Sequence, residues 1–111
     1  MEITHTQQDR ATHMALAGRF DEFATAEAEK AFTALVQGGA TRIVLDLSGV
    51  EYVTSSGLRT ILMFLRAVNN SGGILKLAGL TPFVAQVFDV SNFSSLFEIF
   101  PNAELALRSF E

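Results

Sequence analysis

Thr54-Ser55-Ser56, within the string EYVTSSGLRTIL, is the stretch of this chain whose residue types could do chemistry. An apolar, strand-like run precedes it, and a glycine and an amphipathic helical pattern follow, so the hydroxyls fall at a strand-to-helix junction. A helix starts with unpaired backbone N–H groups and about half a unit of positive charge. A side-chain oxygen there can cap the first turn; Ser55 or Thr54 could serve, and most serines so placed do only this. The same geometry accepts an anion. A phosphorylated serine carries about −1.5 to −2 charge near neutral pH, and at a helix start that charge meets the dipole instead of opposing it. Phosphate added here would turn a hydroxyl surface into a dianion without unfolding the chain, and would detach a partner shaped for the hydroxyl. Gly57 leaves room for close approach of another backbone, and Leu58 is placed to point back and anchor the helix.

Two carboxylates and two histidines are the other candidates. Asp21 follows the second strand at the entrance to the first helix, where the dipole favours a carboxylate. Asp46 lies in RIVLDL and reads as a strand-end residue bonding to a neighbouring loop. Loops of parallel α/β folds gather at the carboxyl ends of the strands, so Asp21, Asp46 and the Ser55 loop are expected to share one edge. His5 and His13 fall in the first two strands and could be cross-strand neighbours. Without a third ligand nearby they read as surface or half-buried strand residues, not a metal site. No phosphate-binding G-x-x-x-x-G-K-[ST] and no G-x-G-x-x-G occurs, and T-S-S-G-L is not the nucleophile elbow G-x-S-x-G. A phospho-receiver with an acceptor aspartate would need a paired acidic cluster and five full βα units, which this chain lacks. Neither an enzyme, a catalytic residue, a cofactor nor a metal is expected.

The totals bound the class of protein. The chain has 111 residues, a net charge of −4, 49% apolar residues, ten Phe and no Cys. This is the size and composition of one folded domain spanning 1–111. Lys and Arg are scattered singly, which argues against nucleic acid and against a basic membrane patch. Absent Cys, disulfides and thiolate sites are excluded. The polar start MEITHTQQDR and the short apolar runs lead to the expectation of a cytoplasmic protein with no signal peptide and no membrane insertion.

The elements that must position the hydroxyls follow from periodicity. EITHT and THMALAG read as an antiparallel pair flanking QQDR. TAEAEKAFTALVQGG is a helix with Ala28, Ala31, Phe32, Leu35 and Val36 on one stripe. RIVLDL is a central strand, buried on both faces, ending in a turn at Ser48-Gly49. SSGLRTILMFLRAVNN is a helix with Leu58, Ile61, Leu62, Leu65 and Val68 inward. Met63 and Phe64 lie off that stripe, either displayed to a partner or covered by the neighbouring helix, with cover favoured for Phe64. ILKLAG is a strand, and Thr81-Pro82 opens a helix with Val84, Val87 and Phe88 inward. LFEIF is a short strand, and PNAELALRSF closes the chain as a helix with Ala103, Leu107 and Phe110 on one side. The order β-β-α-β-α-β-α-β-α predicts an α/β fold. A mixed, mostly parallel sheet of four to five strands carries about four helices packed on it.

With these elements in place, GRFD, IVLDLSGVEYVTSSGLRTIL and GGILKLAGLTPFVAQVFDVSNFSSLFEIF together resemble the STAS domain of bacterial anti-sigma factor antagonists. The likeness runs from about Leu16 to the C-terminus. Its marks are a D/S/T-S-[STA]-G-L motif opening a helix, then G-G-x-L-x-[LV], then F-D-x-[ST], here FDVS. The ordered combination is specific; T-S-S-G-L alone is not.

The resemblance implies a phosphorylation-switched binding module. An unphosphorylated antagonist of this family binds an anti-sigma factor that is often also a serine kinase of the histidine-kinase-like ATPase fold, and so frees a sigma factor. The kinase ends binding by phosphorylating the antagonist, and a PP2C-type phosphatase restores it. By position the acceptor is Ser55, with Ser56 as the alternative. Thr54 stands where many members carry Asp, which keeps capping ability and loses a charge. Asp21, Thr54, Ser55, Ser56, Gly57 and Leu58 are the implied partner-binding residues, and Asp46 matches a polar strand position of the family. Gly18, Phe20 and Asp21 keep its G-x-[hydrophobic]-D motif, whose loop is expected near the acceptor. A monomer or weak dimer is expected. The alternative is a STAS scaffold, or an accessory of a transport or signalling complex, that is never phosphorylated.

Overall fold

Five strands pair in the order in which the chain makes them. The computed structural model describes residues 1–111. The elements are β1 (Glu2–Gln8), β2 (Ala11–Phe20), α1 (Thr25–Gln37), β3 (Arg42–Val53), α2 (Ser55–Asn70), β4 (Ile74–Ala78), α3 (Pro82–Val90), β5 (Glu98–Phe100) and α4 (Ala103–Arg108). One short 3₁₀ turn, Ser94–Leu96, precedes β5. The sheet order is β1-β2-β3-β4-β5, with β1 antiparallel to β2 and every later pair parallel. The α/β class, the mixed sheet and the opening hairpin agree with the sequence pattern.

Strand alternation sends Met14, Leu16, Phe20, Ile43, Leu45, Leu47, Leu75 and Leu77 to one face of the sheet. That face is covered by Ala28, Phe32 and Leu35 of α1, by Leu58, Ile61, Phe64 and Val68 of α2, and by Val84 and Phe88 of α3. Val44 and Ala78 turn the other way and meet Ala106 of α4. β3 is therefore buried on both faces, which is why RIVLDL has no polar alternation until Asp46. The stripe of α2 is rotated slightly from expectation. Leu62 and Leu65 are half-buried, while Phe64 is buried because the Phe32 ring of α1 stacks on it at 4.0 Å. Met63 stays about half exposed, at 53%. No helix is long and apolar enough to cross a membrane.

One expectation about β3 is corrected. Ser48-Gly49 is not a turn; the strand runs through it to Val53. The pairing with β2 slips at this point, since Ala15 faces Asp46 but Ala17 faces Gly49. Such a bulge bends and twists a strand without ending it. Gly49 is required by close approach: a Cβ there would lie 2.8 Å from the Ala17 Cβ. The extra length of β3 carries the chain to the rim of the sheet beside the end of β2.

Candidate functional site

The rim site is built where β2 and β3 finish together. Phe20 and Val53, the last residues of the two strands, are register partners and both buried. The Thr54 amide donates to the Phe20 carbonyl at 3.0 Å, which extends the pairing by one residue. Thr54 keeps an extended backbone (φ −98°, ψ 173°) and is the N-cap of α2. Its Oγ1 accepts from the Gly57 amide at 3.3 Å and lies 3.5 Å from the Phe20 carbonyl. Of the two hydroxyls that could cap, Thr54 does so.

Ser55 is thereby left over. It is the first residue of α2, it is exposed, and its hydroxyl makes no hydrogen bond to the protein. Ser56 is half-buried, and its carbonyl accepts from the Thr60 hydroxyl at 3.0 Å. Gly57 is buried, and a Cβ there would meet the Phe20 carbonyl oxygen at 2.5 Å and Val53 Cγ2 at 3.0 Å. The backbone that approaches Gly57 is thus the protein's own. Leu58 is buried in the core. Gly57 and Leu58 are thus both buried, and they seat the helix that displays Ser55.

Asp21 comes to this rim in the loop after β2. Its Oδ1 accepts from the Phe23 amide at 3.0 Å, and its Oδ2 is 3.9 Å from Arg19 Nε. It holds the turn before α1; the N-cap of that helix is Ala24, without a side-chain cap. Around the rim the structure adds residues not singled out from sequence. Arg19 lies over the Tyr52 ring at 4.4 Å, Tyr52 stacks on Phe83 at 5.6 Å, and Phe23 is 86% exposed. The Arg19–Tyr52 contact follows from their parallel register, which becomes readable only once the bulges in β3 are known.

Asp46 is not part of this rim. It sits in mid-strand, its Oδ2 2.9 Å from His13 Nε2, with Oδ1 accepting from the Ser48 amide at 3.0 Å. Burial opposes its ionisation, but the Ser48 amide, the His13 hydrogen bond, the Ser48 hydroxyl and the His13 charge together hold the carboxyl below its ordinary value. The expectation that it shares the Ser55 edge fails because β3 continues past Ser48. His5 and His13 are not register partners either; His13 pairs with Thr6. No cluster of three or more potential metal ligands forms.

Sheet order, helix placement and the helix start at its rim define an α/β domain of the STAS type. The family model described as "Mlab, STAS domain" matches residues 3–98, and the chain belongs to that family. A Bordetella bronchiseptica protein named as the anti-sigma factor antagonist BtrV is 32% identical over 111 residues, all of this chain and 96% of that one. Among solved structures, a Thermotoga maritima protein assigned as an anti-sigma factor antagonist superposes with a TM-score of 0.90 at 21% identity, covering 96% of this chain and 92% of that one. The Bacillus cell fate determinant SpoIIAA in its phosphorylated form superposes with a TM-score of 0.78 at 20% identity, covering 99% of this chain and all of the other. Homologues named as anti-sigma factor antagonists and structural neighbours of the same kind thus agree with the resemblance seen in the motifs.

Proposed function

We propose that this chain is an anti-sigma factor antagonist, a binding module and not an enzyme, switched by phosphorylation of Ser55. The unmodified rim, with Ser55 displayed beside Thr54, Ser56 and Asp21, docks on an anti-sigma factor that doubles as a serine kinase, and a sigma factor is released. Transfer of the ATP γ-phosphoryl group forms a bond to Ser55 Oγ, breaks the bond to ADP and removes the hydroxyl proton. The dianion then stands where the partner fitted a hydroxyl, and binding ends. A phosphatase of the PP2C type hydrolyses the ester and restores the docking surface.

The observation that carries this reading is the division of labour at the junction. Thr54 caps α2, so the exposed Ser55 hydroxyl has no structural duty. A helix that needed only a cap would be complete without it. The relative named BtrV and the phosphorylated SpoIIAA structure support the reading.

Incubation with the anti-sigma factor kinase of the same genome and ATP, followed by intact-mass measurement and peptide mapping, tests it. One phosphate on Ser55 is expected. Ser55→Asp should weaken binding to the kinase at least tenfold, and Ser55→Ala should stay bound under ATP while the natural protein is released. Release of Ser55→Ala by ATP would move the acceptor to Ser56 or elsewhere. An active kinase that binds this chain and leaves it unmodified would make it a constitutive scaffold.

A further inference from the structure

We propose that Arg59 is the internal counter-ion of a phosphate on Ser55, forming with it a charge pair along α2 that the unmodified protein lacks. The proposal rests on Ser55 being the acceptor. Arg59 stands four residues after Ser55 on the same helix, and both are exposed. Residues at that spacing are neighbours on a helix surface, with Cβ atoms about 5–6 Å apart, and the order acid first, base second is the favourable one.

Arg59 takes part in none of the ion pairs of the protein. α2 contains no acidic residue; Arg59 and Arg66 are its only charged side chains. The other cation near the rim, Arg19, is already occupied by the Asp21 carboxylate and the Tyr52 ring. Arg59 is therefore a guanidinium with no partner on a helix with no acid, one turn from a free hydroxyl.

The same protein shows the completed form of this arrangement. In α4 the Asn102 side chain caps by accepting from the Leu105 amide at 2.9 Å, and Glu104 pairs with Arg108 at 2.5 Å across four residues. In α2 the cap and the arginine are present, and a serine stands one turn before the arginine where no acid exists. Phosphorylation supplies the missing acid, with about −1.5 to −2 charge and three strong acceptor oxygens. The planar guanidinium fork matches those oxygens two at a time. Pairing lays the phosphate along the flank of α2 and neutralises Arg59, so the modification alters two charged positions of the docking face and not one.

The test is a phosphorus-31 NMR pH titration of the full chain carrying phosphoserine installed at position 55 during biosynthesis, which needs no kinase. The second phosphate pKa is expected to rise by about 0.2–0.4 in Arg59→Gln, as befits one charge pair across a helix turn. Arg59→Lys should recover part of the difference, Arg19→Gln should not produce it, and high salt should erase it. Identical titrations of the natural chain and Arg59→Gln would overturn the pairing, as would a shift that follows Arg19→Gln instead. A kinase that leaves Ser55 unmodified would defeat the switch and leave this measurement standing, so the two failures are distinguishable.

Discussion

Two regions of this sheet carry polar side chains, and they are finished in opposite ways. On the face under α4, the charges that touch the sheet and helix are partnered at Asp46, Lys76 and Glu104. Asp46 is held by His13 and the Ser48 amide, and Glu104 meets Arg108. Lys76 is buried with its Nζ 2.6 Å from the Ser109 hydroxyl, 3.8 Å from Glu98 and 4.0 Å from the Phe110 ring centroid. At the rim where α2 begins, Thr54 and Asp21 are partnered, but Ser55 and Arg59 are not. No buried side-chain polar atom anywhere lacks a partner, as native interiors require. The difference teaches where to look for function: groups that hold the fold have their bonds made internally, and groups left without bonds at an exposed, rigid position are available to something else.

Rigidity of the rim is the part of this contrast that a substitution breaks most severely. Gly57→Ala would push a methyl group into the Phe20 carbonyl oxygen, 2.5 Å away, with Val53 behind it. Alanine favours the helix by about 1 kcal/mol. The clash is with backbone on a strand end and cannot relax by a side-chain rotation, so overpacking wins and the expected net loss is about 1–3 kcal/mol. Urea unfolding measures it. Unchanged stability would mean that α2 moves freely against β2, and that Ser55 is displayed by a pliable junction instead of a fixed one.

Much of this architecture can be read from residue patterns, because it is local. The stripe Leu58–Ile61–Val68 and the string TSSGL place α2 at Ser55–Asn70, and the hydroxyl cluster at its start marks the rim. What could not be read depends on other elements. Ser48-Gly49 looks like a turn, yet the glycine answers a neighbour 2.8 Å away on β2. Phe64 lies off the stripe of its own helix and is buried by Phe32 of another. Asp46 meets His13 across a parallel ladder, a contact between residues far apart in the chain. Whether Thr54 or Ser55 is the cap turns on where β3 ends, a one-residue question that propensities do not decide.

That one-residue question gives the next effect in size. Thr54→Ala removes the acceptor of the Gly57 amide and should cost about 0.5–2 kcal/mol. Ser55→Ala removes a hydroxyl with no bond in the fold and should stay within about 0.5 kcal/mol of the natural chain. The pair of variants, compared by thermal or urea unfolding, separates cap from display. Equal losses at both positions would mean that Ser55 also supports the helix, and the contrast between bonded and free groups at the rim would dissolve.

The smallest effect lies on the opposite face and works through pH. The Asp46 carboxyl in the folded chain ionises below its ordinary value of 3.8. The unfolded chain therefore binds this proton first as pH falls, and stability drops as pH descends through 3.8 toward the folded value. Above that window the contribution is fully present. Asp46→Asn keeps an oxygen for the Ser48 amide and a polar group for His13, but has no proton to take up. It should be somewhat less stable than the natural chain at neutral pH and should lose less stability between about pH 5 and pH 3. Parallel acid profiles for the two proteins would mean that His13 and Ser48 do not favour the carboxylate. The face under α4 would then owe its order to packing around Val44, Ala78 and Ala106, and its charges would be as unused as those at the rim.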